Sequence, residues 1–217
     1  MIEGGYSEDE AEALLSLVER LSAIAPVYYS IGNHDVHIYS ETIEMSSNEC
    51  VWFIGRTKFL DRLEEAGAVF LEADYVDTEI NGDSVRIGGL YSFAYRYVLD
   101  SDENWEKRRL FLEDFCDYDG FKVMLSHRPE SFIEKKGFAW WDLDVILSGH
   151  THNGLIANPF THRAIWTTEG FFPEHAYGEF DLDGMRMIIT SGLAGWRIIP
   201  RVFNPPEIAV VDIVPAD

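Results

Sequence analysis

Cysteine is almost missing from this chain: Cys50 and Cys116 are its only two, too few for a disulfide framework, so both are expected as free thiols. Basic residues are also scarce. Lys and Arg total 17 against 38 Asp and Glu, and the formal charge of -21 repels a phosphate backbone and argues against general nucleic-acid binding. No apolar run approaches the roughly 18 residues of a membrane span, and the first 24 positions carry six acids against the single base Arg20. The chain as it stands is therefore expected to be soluble and cytoplasmic, with neither signal peptide nor membrane span. Repeats, linkers and low-complexity blocks are lacking as well, which points to one domain over residues 1–217. With 47% hydrophobic and 25% charged residues, the chain has the composition of a single globular core.

Ser7-Glu8-Asp9-Glu10 has the form of a capping box, and Leu14, Leu17, Val18, Leu21 and Ile24 follow at helical spacing until Pro26. Residues 26–31 form a short apolar and aromatic run, expected as a strand buried on both faces. A second helix is predicted over 57–66 with Gly67 as its C-terminal cap, followed by a strand at 69–71. Asn81-Gly82-Asp83 and Asp183-Gly184 each separate two strand-like runs with hairpin turn chemistry. Between those hairpins lie a charged helix over 102–116 and two short apolar runs, 121–125 and 144–147, suited to parallel strands. Residues 207–214 alternate enough to predict a final strand. Helices and strands interleave, so the fold class is α/β with a mixed sheet or a two-sheet sandwich.

Four of the seven histidines fall in three places: Gly32-Asn33-His34-Asp35, Ser126-His127-Arg128-Pro129 and Gly149-His150-Thr151-His152. Each lies at the end of a predicted buried strand, where the loops of an open α/β sheet converge on one crevice. Neutral imidazole and the Asn carbonyl suit divalent ions of the Zn, Mn and Fe kind, and His150 with His152 can present two nitrogens from one short segment.

With these three blocks in this order, the chain resembles the calcineurin-like metallophosphoesterases, whose signature includes Gly-Asn-His-Asp or Gly-Asn-His-Glu, a later lone His and a closing Gly-His-x-His. Ser191-Gly192-Leu193 and Pro205-Pro206-Glu207-Ile208 resemble the closing segment of bacterial members. The resemblance implies a two-sheet β-sandwich flanked by helices, a two-metal site and a metal-bound hydroxide that attacks phosphorus. Carried over residue by residue, it implies that Asn33, His127 and His150 hold the second metal and His152 the first. His34 would protonate the leaving oxygen, with Asp35 on its other ring nitrogen.

The family's first two blocks, Asp-x-His and Gly-Asp, have no counterpart, since Asp9 is the only aspartate before Asp35 and no histidine precedes His34. The chain is thus expected to be N-terminally truncated relative to the family, lacking its first strands, and to hold about one metal or fewer. Many bacterial relatives begin with a membrane anchor or signal upstream of the first block, so this N-terminus leaves open whether a longer form is membrane-associated. The implied activity is metal-dependent hydrolysis of phosphate mono- or diesters, impaired in the short chain. Its implied substrates are small or lipid-linked phosphoesters. The competing reading is a pseudoenzyme that binds a ligand or partner in the same crevice.

Other candidates rank lower. Ser126 beside His127 lacks a Gly-x-Ser-x-Gly elbow. His37, His162 and His175 are expected at the surface, with His162 or His175 near substrate as the minority reading. Residues 138–141 and Phe171-Phe172 are expected in core or sheet-edge packing, or as an apolar substrate wall. Lys135, Lys136, Arg197 and Arg201 are expected in solvent, with one arginine steadying a phosphate as the alternative.

Overall fold

The computed structural model describes residues 8–32, 58–91, 102–133, 141–167, 170–193, 195 and 200–214. The helices are α1 (Glu8–Ser22), α2 (Lys58–Glu65), α3 (Asp102–Cys116) and the single turn α4 (Glu130–Ile133). The strands are β1 (Val27–Tyr29), β2 (Ala68–Phe70), β3 (Asp74–Ile80), β4 (Asp83–Gly89), β5 (Phe121–Leu125), β6 (Val145–Ser148), β7 (Trp166–Thr167), β8 (Gly170–Phe171), β9 (Gly178–Leu182) and β10 (Met185–Ile189).

Six strands form one mixed sheet in the order β3-β4-β5-β6-β10-β9. Its middle is parallel, from β4 through β5 and β6 to β10, and each edge is closed by an antiparallel hairpin. Both hairpin turns have the expected chemistry. Asn81 and Gly82 (φ 56° and 93°) and Asp183 and Gly184 (φ 55° and 97°) place two successive residues in the left-handed region, as a type I′ turn requires. Two smaller sheets accompany the large one: β1 pairs in parallel with β2, and β7 is antiparallel to β8. The architecture is α/β, with a large mixed sheet flanked by helices.

Alternation along the strands divides the core. Met124, Ile146 and Met187 share one face, where Leu112 and Phe115 of α3 and Phe132 of α4 pack on them. Val85, Ile87 and Val123 point to the other face and meet Leu71, with Tyr28 beside them. On that side α1 and α2 cover the β1-β2 pair through Leu15, Val18, Phe59 and Leu63. Arg86 ties α3 to the sheet. Its guanidinium pairs with Asp77 at 2.7 and 2.9 Å, lies over the rings of Tyr75 and Tyr118, and donates to the Asp114 carbonyl near the end of α3.

Several expectations need correction. Pro26 to Ile31 contains a strand, but among the described residues β1 pairs only with β2, and it is half-buried, not buried on both faces. Residues 207–214 form no strand and find no ladder partner among the described residues, so Ile208, Val210 and Val214 remain exposed. The Ser7 side of the capping box lies outside the described residues. Phe171 and Phe172 sit at a sheet edge yet are largely exposed, whereas Trp141 packs against the main core. Arg201, expected in solvent, is half-buried and donates to the Ser191 and Gly192 carbonyls at 2.6 and 3.0 Å. Cys116 is a free thiol, and burial pushes its pKa up to about 11; Cys50 lies outside the described residues. Among the described residues no helix is long and apolar enough to cross a membrane.

Candidate functional site

Four strands deliver their carboxyl ends to one place: β1 runs into Gly32, β4 into Tyr91, β5 into His127 and β6 into His150. Backbone hydrogen bonds join these ends, from Leu90 N to Leu125 O (2.9 Å), Ser126 N to Leu147 O (3.0 Å) and Gly149 N to His127 O (3.2 Å). Histidines 23 residues apart in sequence thereby become neighbours. His127 Nε2 lies 3.2 Å from His150 Nδ1, with the rings edge to face.

His127 is held on two further sides. The Tyr91 ring stacks on it at 6.1 Å and 13°. Gly32 closes the other approach, because a Cβ there would lie 3.0–3.2 Å from the imidazole atoms. The backbone just before Asn33 therefore passes directly against His127.

The loop after β6 is backbone-strained. His150, His152, Asn153 and Leu155 all have positive φ (65°, 51°, 51° and 58°), a conformation that costs non-glycine residues about 1 kcal/mol or more each. Hydrogen bonds hold the loop there: Thr151 Oγ1 donates to Ala176 O, Asn204 Nδ2 to His152 O, both at 2.6 Å, and Asn153 Nδ2 to His162 O at 2.9 Å. Gly154 passes so close to Trp166 that a Cβ would sit 2.2 Å from its carbonyl oxygen.

Charge surrounds the histidine pair. Glu130 Oε1 stands 3.8 Å from His150 Nε2 and accepts from Arg128 Nε at 2.9 Å. Arg128 also hydrogen-bonds the Tyr91 side chain. Glu72 reaches Tyr91 from below, its carboxylate accepting from Tyr91 N at 2.8 Å. Burial pushes the Glu72 carboxyl up to about 8, against the opposing pull of that hydrogen bond and of Arg108.

The Glu72 shift carries a pH dependence. A carboxyl whose folded pKa exceeds its unfolded value of 4.5 binds more protons in the folded chain, so stability falls as pH rises from about 4.5 to 8 and levels off above. Glu72→Gln should remove that slope. In thermal melts the wild type is expected to lose ground to the variant across this window; parallel curves from pH 5 to about 9 would show that Glu72 titrates normally.

The spacing of the two nitrogens matches that of two ligands on one ion of the zinc class, as it also matches a hydrogen bond between the rings. Two nitrogens bound tetrahedrally at about 2.0–2.1 Å stand about 3.3 Å apart, close to the separation of His127 Nε2 and His150 Nδ1. The buried Ser126 and Ser148 hydroxyls, which lack hydrogen-bond partners among the described residues, make the surroundings polar. His152 sits on a 3₁₀ turn two residues beyond His150. Among the described residues no group of three or more His, Cys, Asp and Glu side chains converges on one point. Asn33, His34 and Asp35 lie outside the described residues, as does His37. His162 is exposed, and His175 packs on Phe180 at 4.8 Å. An open groove of about 1290 Å³ near Asn81, Tyr118 and Val214 is lined by no histidine and lies at the other end of the sheet.

Tyr91, Arg128, Glu130 and Glu72 escaped the sequence reading. Arg128 and Glu130 adjoin His127 in sequence, so charged neighbours of a strand-end histidine were the available signal.

Comparison with known proteins adds a family. A sequence model of the calcineurin-like phosphoesterases matches residues 2–154. An uncharacterized metallophosphoesterase of Aquifex aeolicus is 27% identical over 75% of this chain and 57% of its own length. Another, from Campylobacter jejuni, is 32% identical over 42% of this chain and 22% of its own. The chain thus spans little more than half of the first relative and less than a quarter of the second. Among solved structures, the NAD nucleotidase of Haemophilus influenzae aligns with a TM-score of 0.47 at 16% identity, over 88% of this chain and 37% of that one.

Proposed function

Because this chain belongs to the calcineurin-like phosphoesterase family, we propose that it is a metal-dependent phosphoesterase acting on phosphate mono- or diesters. The observation that carries this reading is the pair of imidazole nitrogens, His127 Nε2 and His150 Nδ1, facing each other at 3.2 Å where β5 and β6 end. In this reading His127, His150 and Asn33 hold one Mn, Fe or Zn ion, and His152 contributes to a second. Such ions, when bound, polarise phosphoryl oxygens and lower the pKa of water. His34 donates the proton that the leaving oxygen needs, and Asp35 keeps the His34 ring oriented and protonated. Tyr91 and Gly32 hold His127 from two sides, which fixes the ring with Nε2 towards His150, where an ion would be held. Small soluble or lipid-linked phosphoesters are the proposed substrates.

A second reading, binding of a ligand or partner without turnover, is favoured by one observation: no group of three or more candidate ligands converges among the described residues. One experiment separates the two. The chain is loaded with Mn²⁺ or Zn²⁺, dialysed, analysed for metal, and assayed on nitrophenyl phosphate and bis-nitrophenyl phosphate with and without chelator. We expect measurable uptake of up to about one ion per chain and hydrolysis that chelation abolishes and added metal restores. Bound metal without turnover on either ester supports the binding reading, and failure to take up metal overturns the phosphoesterase proposal.

A further inference from the structure

We propose that Glu130 is a positioning residue for His150: held by Arg128, it fixes the imidazole with Nε2 protonated and Nδ1 bare. This inference rests on the metal reading of the His127–His150 pair and adds to it the device that orients one of the rings. The contacts close a circuit. His127 stacks on Tyr91, Tyr91 is bonded by Arg128, Arg128 pairs with Glu130, and Glu130 faces His150, which returns to His127.

The two nitrogens of His150 therefore look in different directions, Nδ1 to His127 at 3.2 Å and Nε2 to Glu130 Oε1 at 3.8 Å. A carboxylate attracts an N–H and repels a lone pair. Placed on the Nε2 side it favours, through charge, the tautomer with the proton on Nε2 and the lone pair on Nδ1. The distance is longer than a hydrogen bond, within reach of charge attraction.

Glu130 is well anchored for this role. It opens α4, whose Phe132 is 1% exposed in the main core, and Ser131 N and Phe132 N bond the Arg128 and Pro129 carbonyls. Glu130 and His150 are themselves only 13% and 14% exposed, so water screens their interaction weakly.

The test reads the ring itself as well as the metal. Two-bond proton–nitrogen spectra of the full chain, metal-free and labelled in histidine, report the His150 tautomer at about pH 8, above the ordinary imidazole pKa. Its signals are assigned by their loss in His150→Asn. The wild type should carry its proton on Nε2, and Glu130→Gln and Glu130→Ala should populate the Nδ1-protonated form. Chelator competition should show Zn²⁺ or Mn²⁺ binding about 10-fold weaker in Glu130→Gln and up to about 100-fold weaker in Glu130→Ala. Melting curves identify any variant that fails to fold, and the near-isosteric Gln variant alone then suffices. A wild-type proton on Nδ1, or a folded variant with wild-type tautomer or wild-type affinity, overturns the proposal. If the wild type takes up no metal, the metal reading fails separately, and the tautomer comparison still decides what Glu130 does.

Discussion

Replacing His127 or His150 by Ala is expected to empty the candidate metal site and to lower metal-dependent phosphoester hydrolysis by about 10³-fold or more. The reason is geometric. Each ring supplies one of the two nitrogens that face each other at 3.2 Å, so removing either leaves an ion one imidazole short. A bound ion is worth several kcal/mol of charge stabilisation in phosphoryl transfer, and each 1.36 kcal/mol is about a factor of ten. Losses should be equal on alkyl and nitrophenyl esters, because the ion acts on both. His34→Ala should behave differently, keeping metal while slowing alkyl esters by about 10²- to 10⁴-fold and nitrophenyl esters far less, as removal of a general acid would. Metal analysis beside rates on both ester types makes the comparison. Retained metal in His127→Ala and His150→Ala would show that the ion is held elsewhere.

Phe115→Ala should cost about 3–5 kcal/mol, the range for a large aromatic cut out of a core. The ring is 0% exposed, contacts Tyr75 at 5.9 Å and Phe111 at 5.8 Å between centroids, and fills the space over Gly88 in β4. That last contact makes the two positions interdependent. A Cβ at residue 88 would lie 2.4 Å from Phe115 Cε2, so Gly88→Ala alone should destabilise by about 1–3 kcal/mol through overpacking. In the Phe115→Ala background the methyl group enters vacated space, and most of that cost should disappear. Urea titrations of the four proteins give the coupling directly. Additive effects would mean that the sheet shifts to relieve the contact and that the two faces are not packed as tightly as the distances imply.

Legibility in the sequence followed the range of the interactions involved. The helix at 102–116 and the strand at 121–125 were readable to the residue, since capping, periodicity and turn chemistry act within a few positions. The Asn81-Gly82 and Asp183-Gly184 turns were equally plain, because positive φ at two successive residues leaves few alternatives. Residues 207–214 misled for the opposite reason: alternation shows that a segment could lie in a sheet, but a strand also needs a neighbour, which alternation does not supply. The site divides in the same way. His127 and His150 stood out as strand-end histidines, and parallel topology alone brought them together. Glu130 is three residues from His127, yet its partner is His150 in another loop, so its role depended on how the α4 turn folds back towards β6. Tyr91 carried no local signal at all, being one aromatic among many until β4 and β5 are paired.

The hairpins at the two sheet edges bear on how the protein can be handled. β4 and β10 run parallel to β5 and β6, so the turns that precede them, Asn81-Gly82 and Asp183-Gly184, lie at the end of the sheet opposite the histidines. β4 has seven residues, which sets a separation of about 20 Å. The space around both turns is open, a Cβ at Gly82 or Gly184 meeting no other atom within 4 Å, but their positive φ disfavours replacing the glycines themselves. A fluorophore, affinity tag or surface tether attached beside either turn would thus stand a full strand length from the crevice.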